Sequence, residues 1–158
     1  MTAYEKMTVG DVHDYGSHTF TAEEIKRYAN AFDPQRFHVD EAAGAESHFG
    51  GLAASGWHTA AVMMKLRVAY FARETERATA RGEPVPRFGP SPGFDDLKWM
   101  RPVNAGDTIT FTDRIVAKRE TKSRPGWGIV STETTGVNQR GEPVFSIIGH
   151  VFAAIADG

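Results

Sequence analysis

The chain has 158 residues, 41% of them apolar and 24% charged, which is the size and composition of one compact unit able to bury a core. It contains no cysteine, and this excludes disulfides, thiolate zinc sites and a cysteine nucleophile. Eighteen Lys plus Arg against twenty Asp plus Glu give a net charge of -2 with no extended basic run, so nucleic acid is not an expected partner; no apolar stretch approaches the ~20 residues of a membrane-spanning helix.

Met1 to Gly10 carries Glu5 and Lys6 and no apolar run of the kind a secretory leader needs, so the expected compartment is the cytoplasm. Thr21 and Glu24 have the spacing of a capping box, which predicts a helix starting at Thr21. Ile25, Tyr28, Ala29 and Phe32 form its apolar face, and Pro34 stops it by Asp33. From Pro34 to Gly56 the chain reads as irregular or briefly helical, with a short turn over Val39 to Ala45 and a break at Gly50-Gly51. Trp57 to Phe71 is apolar on nearly every side, interrupted by Lys65 and Arg67, which predicts a helix mostly wrapped by protein. Its densely charged continuation, Arg73 to Arg81, runs into solvent before Gly82, Pro84 and Pro86.

The second half reads as strands. Ile109, Phe111, Ile115 and Ala117 alternate with Thr108, Thr110, Thr112 and Arg114, and Asp113 breaks the apolar face once. Phe94 to Met100, Ile129 to Val137 and Val144 to Ile155 are further strands, the last two joined by a hairpin loop over Asn138 to Glu142. One long buried helix with a run of antiparallel strands is an α+β pattern, satisfied when the sheet curls around the helix. The sheet edge and the apolar surface beside the helix need cover, so a homodimer or higher homo-oligomer is expected.

Asp33-Pro34-Gln35-Arg36-Phe37-His38 places a carboxylate and an imidazole five residues apart, just after a helix. Together they suit the orientation and deprotonation of a water molecule and the return of a proton to carbon. Spacing alone favours a structural role for the pair, because Asp-Pro is a common helix stop and a lone His is more often structural.

Tyr28 to Asp40 (YANAFDPQRFHVD), Phe49 to Trp57 (FGGLAASGW) and Met100 to Asp107 (MRPVNAGD) together resemble the MaoC-like dehydratases and (R)-specific enoyl-CoA hydratases. The likeness spans most of the chain and implies one hotdog domain over residues 1–158. It also implies that Asp33 and His38 activate water for syn addition across an α,β-unsaturated acyl-CoA thioester. The Gly56 backbone N–H would hold the thioester oxygen, where a helix start favours developing negative charge. Trp57 beside it would close the acyl tunnel or pack in the core. Coenzyme A enters only as part of the substrate, and no cofactor or metal is implied.

The chain departs from the family's usual signature at Phe32, Gln35 and Arg36, where glycine, asparagine and proline are usual, and at Met64, where the family has a serine. Gln35 preserves an amide with longer reach, and Arg36 lowers the carboxylate pKa only if it turns inward. Met63 and Met64 read as core filler or as lining of an adaptable acyl pocket. Lys118, Arg119, Lys122 and Arg124 read as a solvated loop or as contacts for CoA phosphates. His38, His48 and His58 lack zinc-site spacing. Two alternatives to the hydratase stay open: a hotdog thioesterase using Asp33, and a non-catalytic acyl-thioester binding module.

Overall fold

A computed structural model describes residues 1–156, so the last two residues of the expected 1–158 unit lie outside the described residues. In chain order the elements are α1 (Ala3–Lys6), β1 (Val12–Thr19), α2 (Ala22–Phe32), α3 (Arg36–Val39), α4 (Glu41–Glu46), α5 (Gly56–Ala80), β2 (Gly93–Trp99), β3 (Thr108–Glu120), β4 (Trp127–Val137) and β5 (Pro143–Ala154). The five strands form one sheet in the order β1-β3-β4-β5-β2, with every neighbour antiparallel, packed on α5. This is the α+β hotdog architecture.

The core lies between the sheet and the inner face of α5, where Phe20, Ile25, Val62, Ile109, Phe111 and Phe145 pack together. Bulges set which side chains reach it. In β3 the register shifts between Ile115 and Ala117, so Ile109, Phe111, Asp113 and Ile115 are buried while Ala117 turns outward. The expected inward place of Ala117 is corrected accordingly: one extra residue reverses the pleat. Past the bulge, Lys118 is half-buried and donates from Nζ to the carbonyls of Tyr4 and Met7, both at 2.8 Å, which ties α1 to the sheet.

Two elements, α1 and β1, precede α2. In β1 the register shifts between Asp14 and Gly16, and its inner positions carry His13, Tyr15 and His18, so neither period nor apolarity marks it as a strand. At Thr21 half of the capping box forms. Thr21 Oγ1 accepts from the Glu24 N–H at 3.2 Å, but the Glu24 carboxylate turns to His18 Nε2 at 2.6 Å instead of closing the reciprocal bond.

The long helix is wrapped on one side only, which corrects the expectation of burial nearly all round. His58, Thr59, Val62 and Met63 are buried, whereas Trp57 (52%), Met64 (50%) and Val68 (61%) are exposed. A single sheet covers a single helix face. Among the described residues no helix is long and apolar enough to cross a membrane.

Candidate active site

Asp33 caps the C-terminus of α2, where its own N–H donates to the Ala29 carbonyl at 2.8 Å. Pro34 ends the helix, and α3 then makes a single turn in which the His38 N–H donates to the Gln35 carbonyl at 2.9 Å. That turn folds His38 back on Asp33, with Nε2 3.4 Å from Oδ2. The closeness of the pair is thus a local product of the helix stop and one turn.

The His38 ring is 5% exposed, with the rings of Phe37 and Phe49 against it. Its Nδ1 lies 2.6 Å from the Ala53 carbonyl. A carbonyl only accepts, so this contact assigns the proton to Nδ1 and leaves Nε2 as the nitrogen facing Asp33. Ala53 is itself pinned: its N–H donates to the Phe37 carbonyl at 3.3 Å, and the adjacent Ala54 N–H donates to Val103 at 2.8 Å. Asn104 completes the brace with amide donations to the carbonyls of Phe49 (3.2 Å) and Leu52 (3.4 Å).

Burial pushes the Asp33 carboxyl upward in pKa, but Ser55, Gln35 and His38 outweigh it, and the net shift is below the ordinary carboxylate value. The Gln35 amide donates to Oδ1 at 2.7 Å. Ser55 is fully buried at the N-cap of α5 yet does not cap the helix; its hydroxyl faces Asp33 without completing a hydrogen bond of regular geometry. Arg36 is exposed and lines none of the site, so it lies in solvent and not against the carboxylate.

Gly56 is the first residue of α5, and its N–H makes no hydrogen bond with any described residue. Its carbonyl accepts from Trp99 Nε1 at 3.0 Å, and the Trp57 ring stands edge-on to Trp99 at 5.2 Å. Asp33, His38, Gly56 and Trp57 all line one cavity of about 560 Å³, together with Gln35, His48, Trp99 and Arg101. The structure thereby brings together the four residues assigned to the site from the sequence. Trp99 and Ser55 were not singled out: Trp99 reaches the site from 43 residues away, and Ser55 reads in sequence only as a helix-start residue.

Other features resolve as structure. Met63 is buried and Met64 is exposed. Lys118 anchors α1, and the Arg124 guanidinium stacks 5.0 Å over the Phe152 ring; none of the four basic residues from Lys118 to Arg124 lines the site cavity. Among the described residues no group of three or more His, Asp or Glu side chains converges to hold a metal.

Three comparisons bear on this geometry. The family model for the FAS1-like dehydratase domain region matches residues 7–147. The crystal structure of the MaoC-like dehydratase from Rhodospirillum rubrum is 37% identical, superposes with a TM-score of 0.79, and the match covers 95% of this chain and 94% of that one. Two curated relatives match over shorter stretches. An uncharacterized protein, YdeM, of Bacillus subtilis is 39% identical over 62 residues, which is 39% of this chain and 44% of that protein. The mesaconyl-CoA hydratase of Cereibacter sphaeroides is 32% identical over 65 residues, which is 41% of this chain and 19% of that protein.

Proposed function

Because the chain belongs to the MaoC-like dehydratase and (R)-hydratase family of hotdog proteins, we propose that it hydrates α,β-unsaturated acyl-CoA thioesters, or dehydrates their 3-hydroxy products, at Asp33, His38 and Gly56. One observation carries this reading: a carboxylate, an imidazole of fixed tautomer and an unpaired helix-start N–H share one cavity.

Each group has a distinct task. Asp33, held ionised by its neighbours, accepts one hydrogen of a water molecule and orients it. His38 Nε2, in the neutral ring whose proton sits on Nδ1 against the Ala53 carbonyl, takes the other hydrogen as the water oxygen bonds to Cβ. The π electrons move through Cα onto the thioester oxygen, where the Gly56 N–H and the positive end of α5 stabilise the enolate. His38 then returns its proton to Cα, so the elements of one water add to the same face. The reverse sequence is dehydration. Arg101, exposed on the same cavity, is placed to meet the phosphates of coenzyme A.

The working unit is a homodimer. β2 is an edge strand, and Phe94, Trp99 and Met100 on or beside it are exposed, as are Trp57, Met64 and Val68 on α5. A second copy would cover both the open edge and this apolar face.

The test is to supply crotonyl-CoA to the purified chain and follow enoyl absorbance and free thiol together, alongside Asp33→Asn and His38→Ala. Hydration without thiol release, lost in both variants, is the expected result. Thiol release would make the chain a thioesterase, and binding without turnover would make it a thioester-binding module.

A further inference from the structure

Resting on that reading, we propose that α5 leads the acyl tail to Arg67 and that the preferred substrates are thioesters whose tail ends in a carboxylate or a similar oxygen-rich group.

Thr59, Met63, Arg67 and Phe71 follow one another at four-residue spacing and so lie on one line along the helix. Thr59 lines the cavity of Asp33 and His38. Met63, Arg67 and Phe71 line a second cavity of about 440 Å³, walled on its other sides by Phe88, Phe94 and Ile147. Eleven residues of helix separate Gly56 from Arg67, a rise of about 16 Å that the arginine shortens by leaning back toward the helix start. Met63, one turn beyond Thr59, lines the second cavity; it is unbranched with three rotatable bonds, and the proposed path of the acyl tail runs past its side chain.

The walls of the second cavity are chiefly apolar, and no carboxylate among the described residues lines it. Its charged member is Arg67, most of whose side chain is buried and whose Cζ lies 5.6 Å from the Phe71 ring centre. Nη1 is engaged, donating to Thr132 Oγ1 at 3.0 Å and facing Asp113 Oδ2 at 3.6 Å. Nε and Nη2 make no hydrogen bond with any described residue. The cavity's other titratable side chain, His150, has both nitrogens engaged, with Ser131 at 2.7 Å and Asp95 at 2.6 Å. A plain alkyl tail would strip water from the free Arg67 donors and give them nothing in return, whereas a terminal carboxylate would meet them as a charged acceptor.

The experiment compares trans-2-octenoyl-CoA with its ω-carboxyl counterpart of equal length, with crotonyl-CoA as the short reference. The unmodified chain should turn over the ω-carboxyl ester with a kcat/KM about tenfold or more above the alkyl ester. Arg67→Met should reverse that order. Because Arg67→Met leaves Asp113 short of a partner, the double variant Arg67→Met/Asp113→Asn is measured beside it, each checked by thermal melting, and it should show the same reversal. Equal turnover of the two octenoyl esters, or an alkyl preference in the unmodified chain, overturns the inference. Hydration of crotonyl-CoA but of neither longer ester also overturns it and leaves the hydratase reading standing. Failure on all three esters removes that reading and the inference with it.

Discussion

The indole of Trp99 occupies the space that a β-carbon on Gly56 would need: Cε2 lies 2.3 Å from that position and Nε1 2.6 Å. The requirement for glycine is therefore steric, set by a side chain from β2, and it is separate from the task proposed for the Gly56 N–H. Gly56→Ala should displace the indole, break its bond to the Gly56 carbonyl and cost about 1–3 kcal/mol. Hydration of crotonyl-CoA should fall at least tenfold. Trp99→Ala removes the obstacle, so the double variant should be more active and more stable than the product of the single effects predicts. Strict additivity in melting and in kcat/KM would show that the two residues do not meet in the working protein.

Gln35 stands where the family's usual residue is asparagine, and its amide reaches Asp33 Oδ1 at 2.7 Å. The longer side chain therefore keeps the contact, and it is one of the groups that hold the carboxyl pKa down. Removing it in Gln35→Ala raises that pKa. The ionised form then disappears at a higher pH, so the acidic limb of the kcat/KM profile for crotonyl-CoA should move upward, with the rate on the plateau changed less than the limb. An unmoved limb would mean that Gln35 does not tune Asp33.

How much of this was legible in sequence depended on how local each signal was. The proximity of Asp33 and His38 is readable because one proline stop and one helical turn join them within six residues, but their role was legible only through the resemblance of the surrounding motifs, since spacing alone favours a structural pair. The strands β3, β4 and β5 are readable because most of their inward positions are apolar or small at period two. The strand β1 is not, since its bulge at Gly16 reverses the pleat and histidines fill two of its inward places. Trp99 lies inside a strand that the sequence predicts, yet its approach to Gly56 depends on the packing of an edge strand against a helix 43 residues earlier. The outward face of α5 was misread for a related reason: Trp57, Met64 and Val68 are apolar enough to suggest burial, and the chain alone does not supply the cover.

Asp113, which interrupts the apolar period of β3, is fully buried and held from three sides. His13 Nδ1 lies 2.6 Å from Oδ1, the Tyr15 hydroxyl donates to Oδ2, and the Arg67 guanidinium faces Oδ2 at 3.6 Å. Burial raises the pKa of the Tyr15 hydroxyl, with Asp113 adding to the shift against the pull of Arg67, so this hydroxyl stays a donor. The network ties β1, β3 and α5 together. Asp113→Ala leaves a mostly buried guanidinium and two polar rings without their shared acceptor, and should cost about 3–5 kcal/mol in urea unfolding. Tyr15→Phe removes one donor of several and should cost about 1 kcal/mol. Comparable costs for the two substitutions would show that the charge is not what the network stabilises.

His58 follows Gly56 by two residues and is buried against α2, its ring stacked on Tyr28 at 4.6 Å and edge-on to Phe20 at 5.0 Å. Its Nδ1 has no hydrogen-bond partner among the described residues, and its Nε2 lies 3.6 Å from Glu24 Oε1, which is already engaged by His18. Burial lowers its pKa below 6.5; Glu24 pulls upward, while His18 and Arg27 add to the lowering. Between the folded value and 6.5 the unfolded chain binds the proton more readily than the folded one, so stability falls as pH drops through that window. His58→Phe keeps an aromatic ring against Tyr28 and removes the proton site. Thermal melting from pH 7.5 to 4.5 should therefore show a shallower acid decline for this variant than for the parent chain. Superimposable pH profiles would place the acid sensitivity elsewhere, with the Asp33 carboxylate, whose pKa is held low, the group to examine by the same measurement.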